Sequence, residues 1–201
     1  MTPMPCGGRE IPAFRLQLDD FLRSLALLLA IAMHLGVPGS AVAQDKPTFA
    51  GVSTATKVVA DPYFDAYIAR DWNRLEPLLA NEAHFVDPTA QLVFGSVDIA
   101  GKGAVMKNFR ENYAAIGYMN FKNVRSFCSG EYAVFEGSLD WSLALGDGRT
   151  ATTTGMPFVT VLRVVNGQVV AHQDLADYSS FLAAARLAKS SARDDVSTVK
   201  P

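Results

Sequence analysis

A handful of acidic, imidazole and phenol side chains carry whatever chemistry this chain performs. Asp87 precedes Pro88 at the end of the run His84-Phe85-Val86-Asp87. Proline removes a ladder donor and ends a strand, so the carboxylate belongs at a sheet rim. There it is either a turn carboxylate or, at an apolar pocket mouth, a general base. His172 and Asp174 stand two apart in a strand-like segment and share one face. They form an acid–base pair if that face looks inward, and otherwise tie down the segment that follows. Asp140 alternates with Ser138, Glu136, Val134 and Tyr132, while Ala133, Phe135, Leu139, Trp141, Leu143 and Leu145 occupy the opposite face. Two placements follow. Either the apolar face is the core and Asp140 lies outside, or the Asp140 face lines a pocket and the apolar face packs on a second subunit.

Other chemistries lack their residues. His84 and His172 have no H-x-x-x-H or H-E-x-x-H partner, so no metal is expected. Neither a glycine-rich phosphate loop nor G-x-S-x-G occurs, so no cofactor is expected and serine hydrolysis is disfavoured. A formal net charge of −2 with no basic run argues against a nucleic-acid partner.

The elements that must hold these groups follow from the pattern. Asp61-Pro62 has the form of a helix start, with Tyr63, Tyr67 and Ile68 on one face. Asp71 caps a short second helix interrupted at Pro77. Gly101-Lys102-Gly103 opens a third, whose apolar positions Val105, Met106, Phe109, Tyr113 and Ile116 keep the helical period. From Met119 the period becomes two. Strands are expected over 119–128, 132–145, 150–165 and 168–177, with a bend at Gly155 and Pro157 and a tight hairpin at Asn166-Gly167. Asp177 caps a terminal helix over 178–189. Helices followed by a meander predict an α+β fold: a curved antiparallel β-sheet wrapped around the N-terminal helices as a cone with an internal pocket.

The N-terminal residues differ in kind. Arg15 and Arg23 precede the uncharged run Leu25 to Met33, and Ala41-Val42-Ala43 follows. That is the pattern of a signal peptide over 1–43, too short at about a dozen residues to span a bilayer. The expectation is an exported, periplasmic or secreted protein with no stable membrane span after cleavage. Residues 44–56 read as a linker, 57–188 as the domain, and 189–201 as a disordered tail. Cys6 would leave with the signal, and Cys128 would remain alone as a small buried hydrophobe.

Over residues 57–185 the chain resembles the nuclear transport factor 2-like folds, within them the SnoaL-like and ketosteroid-isomerase-like branch. The carriers are Tyr63-Phe64-Asp65-Ala66-Tyr67, Phe85-Val86-Asp87-Pro88, Gly101-Lys102-Gly103, Val165-Asn166-Gly167-Gln168-Val169 and Asp174-Leu175-Ala176-Asp177. In ketosteroid isomerases a helix tyrosine and a strand-end aspartate share the site, which this resemblance puts on Tyr63 and Asp87. The second acid of that site falls near Val159, where none is present. Limonene epoxide hydrolase pairs two aspartates around an arginine, which the resemblance puts on Asp140, Asp174 and Ser138. It implies a pocket for a small apolar molecule and catalytic roles for Asp87, Asp174, Tyr63 and Asp140. Tyr67, Phe85, His172 and Ser138 would bind the ligand, and the assembly would be a homodimer. The implied activity is a cofactor-free isomerase, cyclase or hydratase; the alternative is a ligand-binding or self-associating accessory protein.

Overall fold

The computed structural model describes residues 46–146 and 148–197. The signal segment, its Ala41–Ala43 site, Cys6 and the last four residues lie outside them.

Helix α1 runs Phe49–Ala69. Thr48 caps it by accepting from the Gly51 N–H at 3.1 Å, and Arg70 ends it in the left-handed conformation at φ 56°. Pro62 therefore lies inside the helix and does not start it. The first two turns, expected to be linker, are anchored by tertiary bonds. The Thr56 hydroxyl donates to the Gly130 carbonyl at 2.8 Å, and the Gly130 N–H donates to Ser53 Oγ at 2.8 Å. These contacts lie more than seventy residues away along the chain, beyond any local reading. Ala60, Tyr63, Phe64, Ala66 and Tyr67 form the buried stripe of α1.

Asp71 caps α2 (Trp72–Leu75) through the Arg74 N–H at 3.1 Å, and a 3-10 turn at Glu76–Leu78 holds Pro77. Strand β1 (Leu79–Asp87) ends at Pro88. A further 3-10 turn (Pro88–Ala90), α3 (Gln91–Phe94), β2 (Val97–Ala100) and α4 (Lys102–Asn112) follow. The remainder is β3 (Ile116–Ser129), β4 (Tyr132–Ala144), β5 (Thr150–Val165), β6 (Gln168–Ala176) and α5 (Ser179–Ser197). Asn166 and Gly167 both take positive φ, 50° and 77°, as the β5–β6 hairpin requires. Asp177 accepts from the Ser179 N–H at 3.0 Å and starts α5, which continues through the residues expected to be tail.

The expected cone is corrected by the sheet. Six strands lie in the order β2-β1-β6-β5-β4-β3. The sheet is open, with β2 and β3 at its two edges, so nothing closes it into a cone. It is also mixed: β1 and β6 run parallel while every other pair is antiparallel. The reason is the route of the chain. The connection through α4 carries β3 to the far edge, and three hairpins step back until β6 arrives beside β1. A meander alone predicts only the four strands it contains.

Helices α1 and α4 pack on one face of this sheet. Phe64 of α1 stacks on Phe135 at 4.1 Å between centroids, and Phe109 of α4 meets Phe85 of β1 edge-on at 4.9 Å. Leu139 and Trp141 belong to the same core at 3 % and 5 % exposure. The apolar face of β4 is thus the inner face, and of the two placements the sequence allows, the one that sets this face against a second subunit is excluded. Burying each such side chain is worth about 1.5–3 kcal/mol, which settles the strand's orientation.

Candidate functional site

The parallel pairing of β1 with β6 builds the site. Phe85 lies opposite His172 and Val86 opposite Gln173. One more step brings Asp87 level with Asp174 on strands about 4.8 Å apart. Both carboxylates are buried, at 5 % and 2 % exposure.

Asp87 is held by its own turn. Its Oδ1 accepts from the Thr89 N–H at 2.9 Å, the Ala90 N–H at 3.0 Å and the Thr89 hydroxyl at 2.5 Å. Its Oδ2 accepts from the Tyr178 hydroxyl at 2.6 Å. The sequence signal is Asp-Pro-Thr, in which the aspartate caps the turn that proline begins.

Asp174 is held by side chains from three elements, α1, β5 and its own strand β6. The Tyr67 hydroxyl on α1 donates to Oδ2 at 2.6 Å, and the Thr160 hydroxyl on β5 donates to Oδ1 at 2.6 Å. His172 Nε2 lies 2.9 Å from Oδ1, and Tyr63 Oη lies 3.1 Å from His172 Nδ1. Tyr63 is fully buried and Nδ1 is the acceptor within its reach. Its hydrogen therefore goes to Nδ1, which assigns the ring proton to Nε2 and directs it at Asp174. Tyr113 Oη lies 2.8 Å from Tyr67 Oη. Because the Tyr67 hydrogen is given to Asp174, Tyr113 is the donor of that pair.

The result is one connected chain: Tyr113, Tyr67, Asp174, His172, Tyr63. Burial, with the nearby Asp174 charge adding to it, pushes the phenols of Tyr63, Tyr67 and Tyr113 well above the usual tyrosine range. Burial and the Asp87 charge do the same to Tyr178. All four remain phenols and act as donors, not bases.

Both carboxylates open onto a cavity of about 450 Å³. Its walls are largely apolar and aromatic, Phe85, Trp141, Met156 and Phe158 among them, with Phe94 on α3 at one side. Phe181 of α5 stacks on Trp141 at 5.0 Å. Of the residues singled out in the sequence, Asp87, Asp174, Tyr67 and Phe85 line this cavity. Tyr63 and His172 do not line it; they stand behind Asp174. Asp140 and Ser138 lie on the other face of β4. Asp140 accepts from the Gly155 N–H at 2.7 Å and pairs with Lys122 at 2.7 Å. The hydrogen bond from Lys122 holds its carboxyl below the ordinary value. Tyr113, Tyr178 and Thr160 were not singled out. Tyr113 keeps the apolar period of the helix before it, which hides its hydroxyl in the sequence, and only the pairing of β5 with β6 reveals Thr160 opposite Asp174.

Among the described residues no three of His, Cys, Asp or Glu cluster as metal ligands would. None of their helices is long and apolar enough to cross a membrane.

The SnoaL-like domain family matches residues 60–172. A protein from Shewanella denitrificans assigned as a SnoaL-like polyketide cyclase superposes with a TM-score of 0.57 at 18 % identity, over 65 % of this chain and 96 % of that one. A second, from Shewanella putrefaciens, gives 0.57 at 20 % identity over 66 % and 96 %. A limonene-epoxide-hydrolase-like enzyme of Mycobacterium tuberculosis gives 0.50 at 14 % identity over 66 % and 90 %. At these identities the likeness is one of fold. No curated protein sequence matches the chain.

Proposed function

Because the chain belongs to the SnoaL-like domain family, whose fold carries many unrelated chemistries, we propose from the site itself that it is a cofactor-free enzyme moving a proton on a small, largely apolar molecule. The observation that carries this reading is the pair of buried carboxylates, Asp87 and Asp174, side by side in the wall of one apolar cavity. Asp174 is the proton-transfer group. It is bonded to the hydroxyls of Tyr67 and Thr160 and to His172, groups that can exchange protons. Asp87 is also bonded to two hydroxyls, of Thr89 and Tyr178, but two main-chain N–H groups pin it as the cap of its own turn, and it anchors the ligand. Isomerisation, cyclisation and hydration all need a proton taken at one atom and returned at another. The similarity to assigned cyclases and to an epoxide hydrolase supports this group of reactions without selecting among them. Export to the periplasm or exterior belongs to the same proposal and rests on the residue 15–43 pattern.

A second reading has an observation of its own. Each carboxylate already accepts three or four hydrogen bonds, which suits a fixed binding wall as well as a reacting group. The test is proton exchange in heavy water. Wild-type protein is incubated with small ketones and enones, and with epoxides for ring opening, and the products are followed by NMR. Deuterium entering the substrate with wild type and not with Asp174→Asn supports the enzyme. Binding without exchange or turnover favours a carrier.

A further inference from the structure

The hydrogen-bond directions in the cavity wall select a ligand chemistry. Tyr178 gives its hydrogen to Asp87 Oδ2, Tyr67 gives its own to Asp174 Oδ2, and Tyr113 gives its own to Tyr67. Every phenol hydrogen in the buried part of the wall is thus committed to the protein. What remains facing the cavity is lone pairs. A carboxylate offers about four acceptor positions. Asp174 has filled three of them, one on Oδ2, and Asp87 Oδ2 has taken one donor. The oxygens of Tyr113 and Tyr178 add further acceptor positions. Trp141 also lines the wall, with its indole N–H buried and so not exposed to the cavity solvent. The amides and hydroxyl that could donate, on Asn108, Asn112 and Ser96, stand at the more exposed rim.

The charge points the same way. Two carboxylates share the wall, and the residues lining it include no Lys, Arg or His. His172 reaches Asp174 from behind, but its bonding is complete with the ring neutral: Nδ1 accepts from Tyr63 and Nε2 donates to Asp174. Uncompensated negative charge in an apolar cavity is costly. A bound cation relieves that cost, and the faces of the surrounding aromatic rings favour the same charge.

We infer that the cavity binds a molecule carrying a protonated amine on a compact apolar body, with its N–H groups directed at the free lone pairs of Asp87 and Asp174. A carbonyl or carboxylate ligand meets the opposite situation, since it brings acceptors to a wall of acceptors. An alcohol supplies one donor and no charge; an ammonium supplies three donors and the charge. The inference rests on the reading of this cavity as the ligand site, and it names the class of molecule that site takes.

Four probes of nearly one size separate the cases: benzylamine, benzyl alcohol, benzaldehyde and benzoate, titrated calorimetrically into the wild-type protein. The expected order has benzylamine about tenfold or more tighter than the alcohol and the aldehyde, with benzoate weakest. Asp87→Asn and Asp174→Asn should each erase most of the amine's advantage over the aldehyde. The ranking on wild-type protein needs neither variant to fold. Benzyl alcohol, benzaldehyde or benzoate binding as tightly as benzylamine overturns the inference while leaving the cavity a ligand site. Heat from none of the four overturns the cavity reading and the inference together.

Discussion

Tyr63→Phe separates a residue that lines the cavity from one that supports its wall. The substitution keeps the ring, and with it the edge-on packing against His172 at 5.6 Å between centroids. It deletes only the hydroxyl that donates to His172 Nδ1 at 3.1 Å. Tyr63 and His172 are 0 % and 1 % exposed, so water does not replace the lost donor. A buried acceptor left unpaired costs about 1–3 kcal/mol. For a domain of this size each kcal/mol lowers Tm by about 2–4 °C, so a fall of roughly 2–12 °C is expected in calorimetry. The ring proton assignment gives a second readout. In the wild type the imidazole 15N signals should report an unprotonated, hydrogen-bonded Nδ1 and a protonated Nε2. In the variant the Nδ1 signal should move to that of a nitrogen without a donor, while the affinity for cavity ligands stays the same. An unchanged Tm together with an unchanged Nδ1 signal would refute the hydrogen-bond chain. A large loss of ligand affinity at unchanged stability would place Tyr63 in the cavity after all.

Two other outcomes follow from burial. Trp141→Glu should leave no folded monomer, because the charge would enter the core beside Phe181 and not a detachable subunit face; a soluble, folded, monomeric variant by sedimentation would contradict this. Tyr63, Tyr67, Tyr113 and Tyr178 have raised phenol values in the fold, so their stabilisation is whole below the unfolded value of about 10 and is lost as pH rises beyond it. Each contributes a slope of about 1.4 kcal/mol per pH unit there. Denaturant midpoints falling steeply above pH 10, with their tyrosinate absorbance appearing only on unfolding, are expected; reversible ionisation of all four in the folded protein would contradict the burial argument.

The sequence carried the local signals well. Asp71 and Asp177 cap the helices they precede, Pro88 ends β1, and Asn166-Gly167 turns the last hairpin. These are short-range effects of backbone chemistry, and the letters state them. Pro62 misled because a proline at a helix start and one inside a longer helix look alike until Thr56 and Ser53 are seen to bind Gly130. Strand β2 is not legible in the sequence because its four residues are too few to show a period. The two faces of β4 are legible as faces, but which one is inner depends on α1 packing against Phe135 and α5 against Trp141, and alternation alone does not contain that.

The candidate site shows the same division more sharply. Asp87 and Asp174 could each be picked out from local context, Asp87 by Pro88 and Asp174 by its spacing from His172. Nothing local places them next to each other, because 87 residues separate them and an antiparallel meander would not pair their strands. The parallel β1–β6 contact does so, and the same contact that makes the sheet mixed brings the two carboxylates level. Asp140 had equal standing with them in the sequence, yet one face of difference gives it Lys122 and solvent in place of tyrosine hydroxyls. The three aspartates therefore diverge for a reason that is topological before it is chemical. Strand order decides which carboxylates meet, burial removes their water, and the hydroxyls that replace that water fix which lone pairs are left for a ligand.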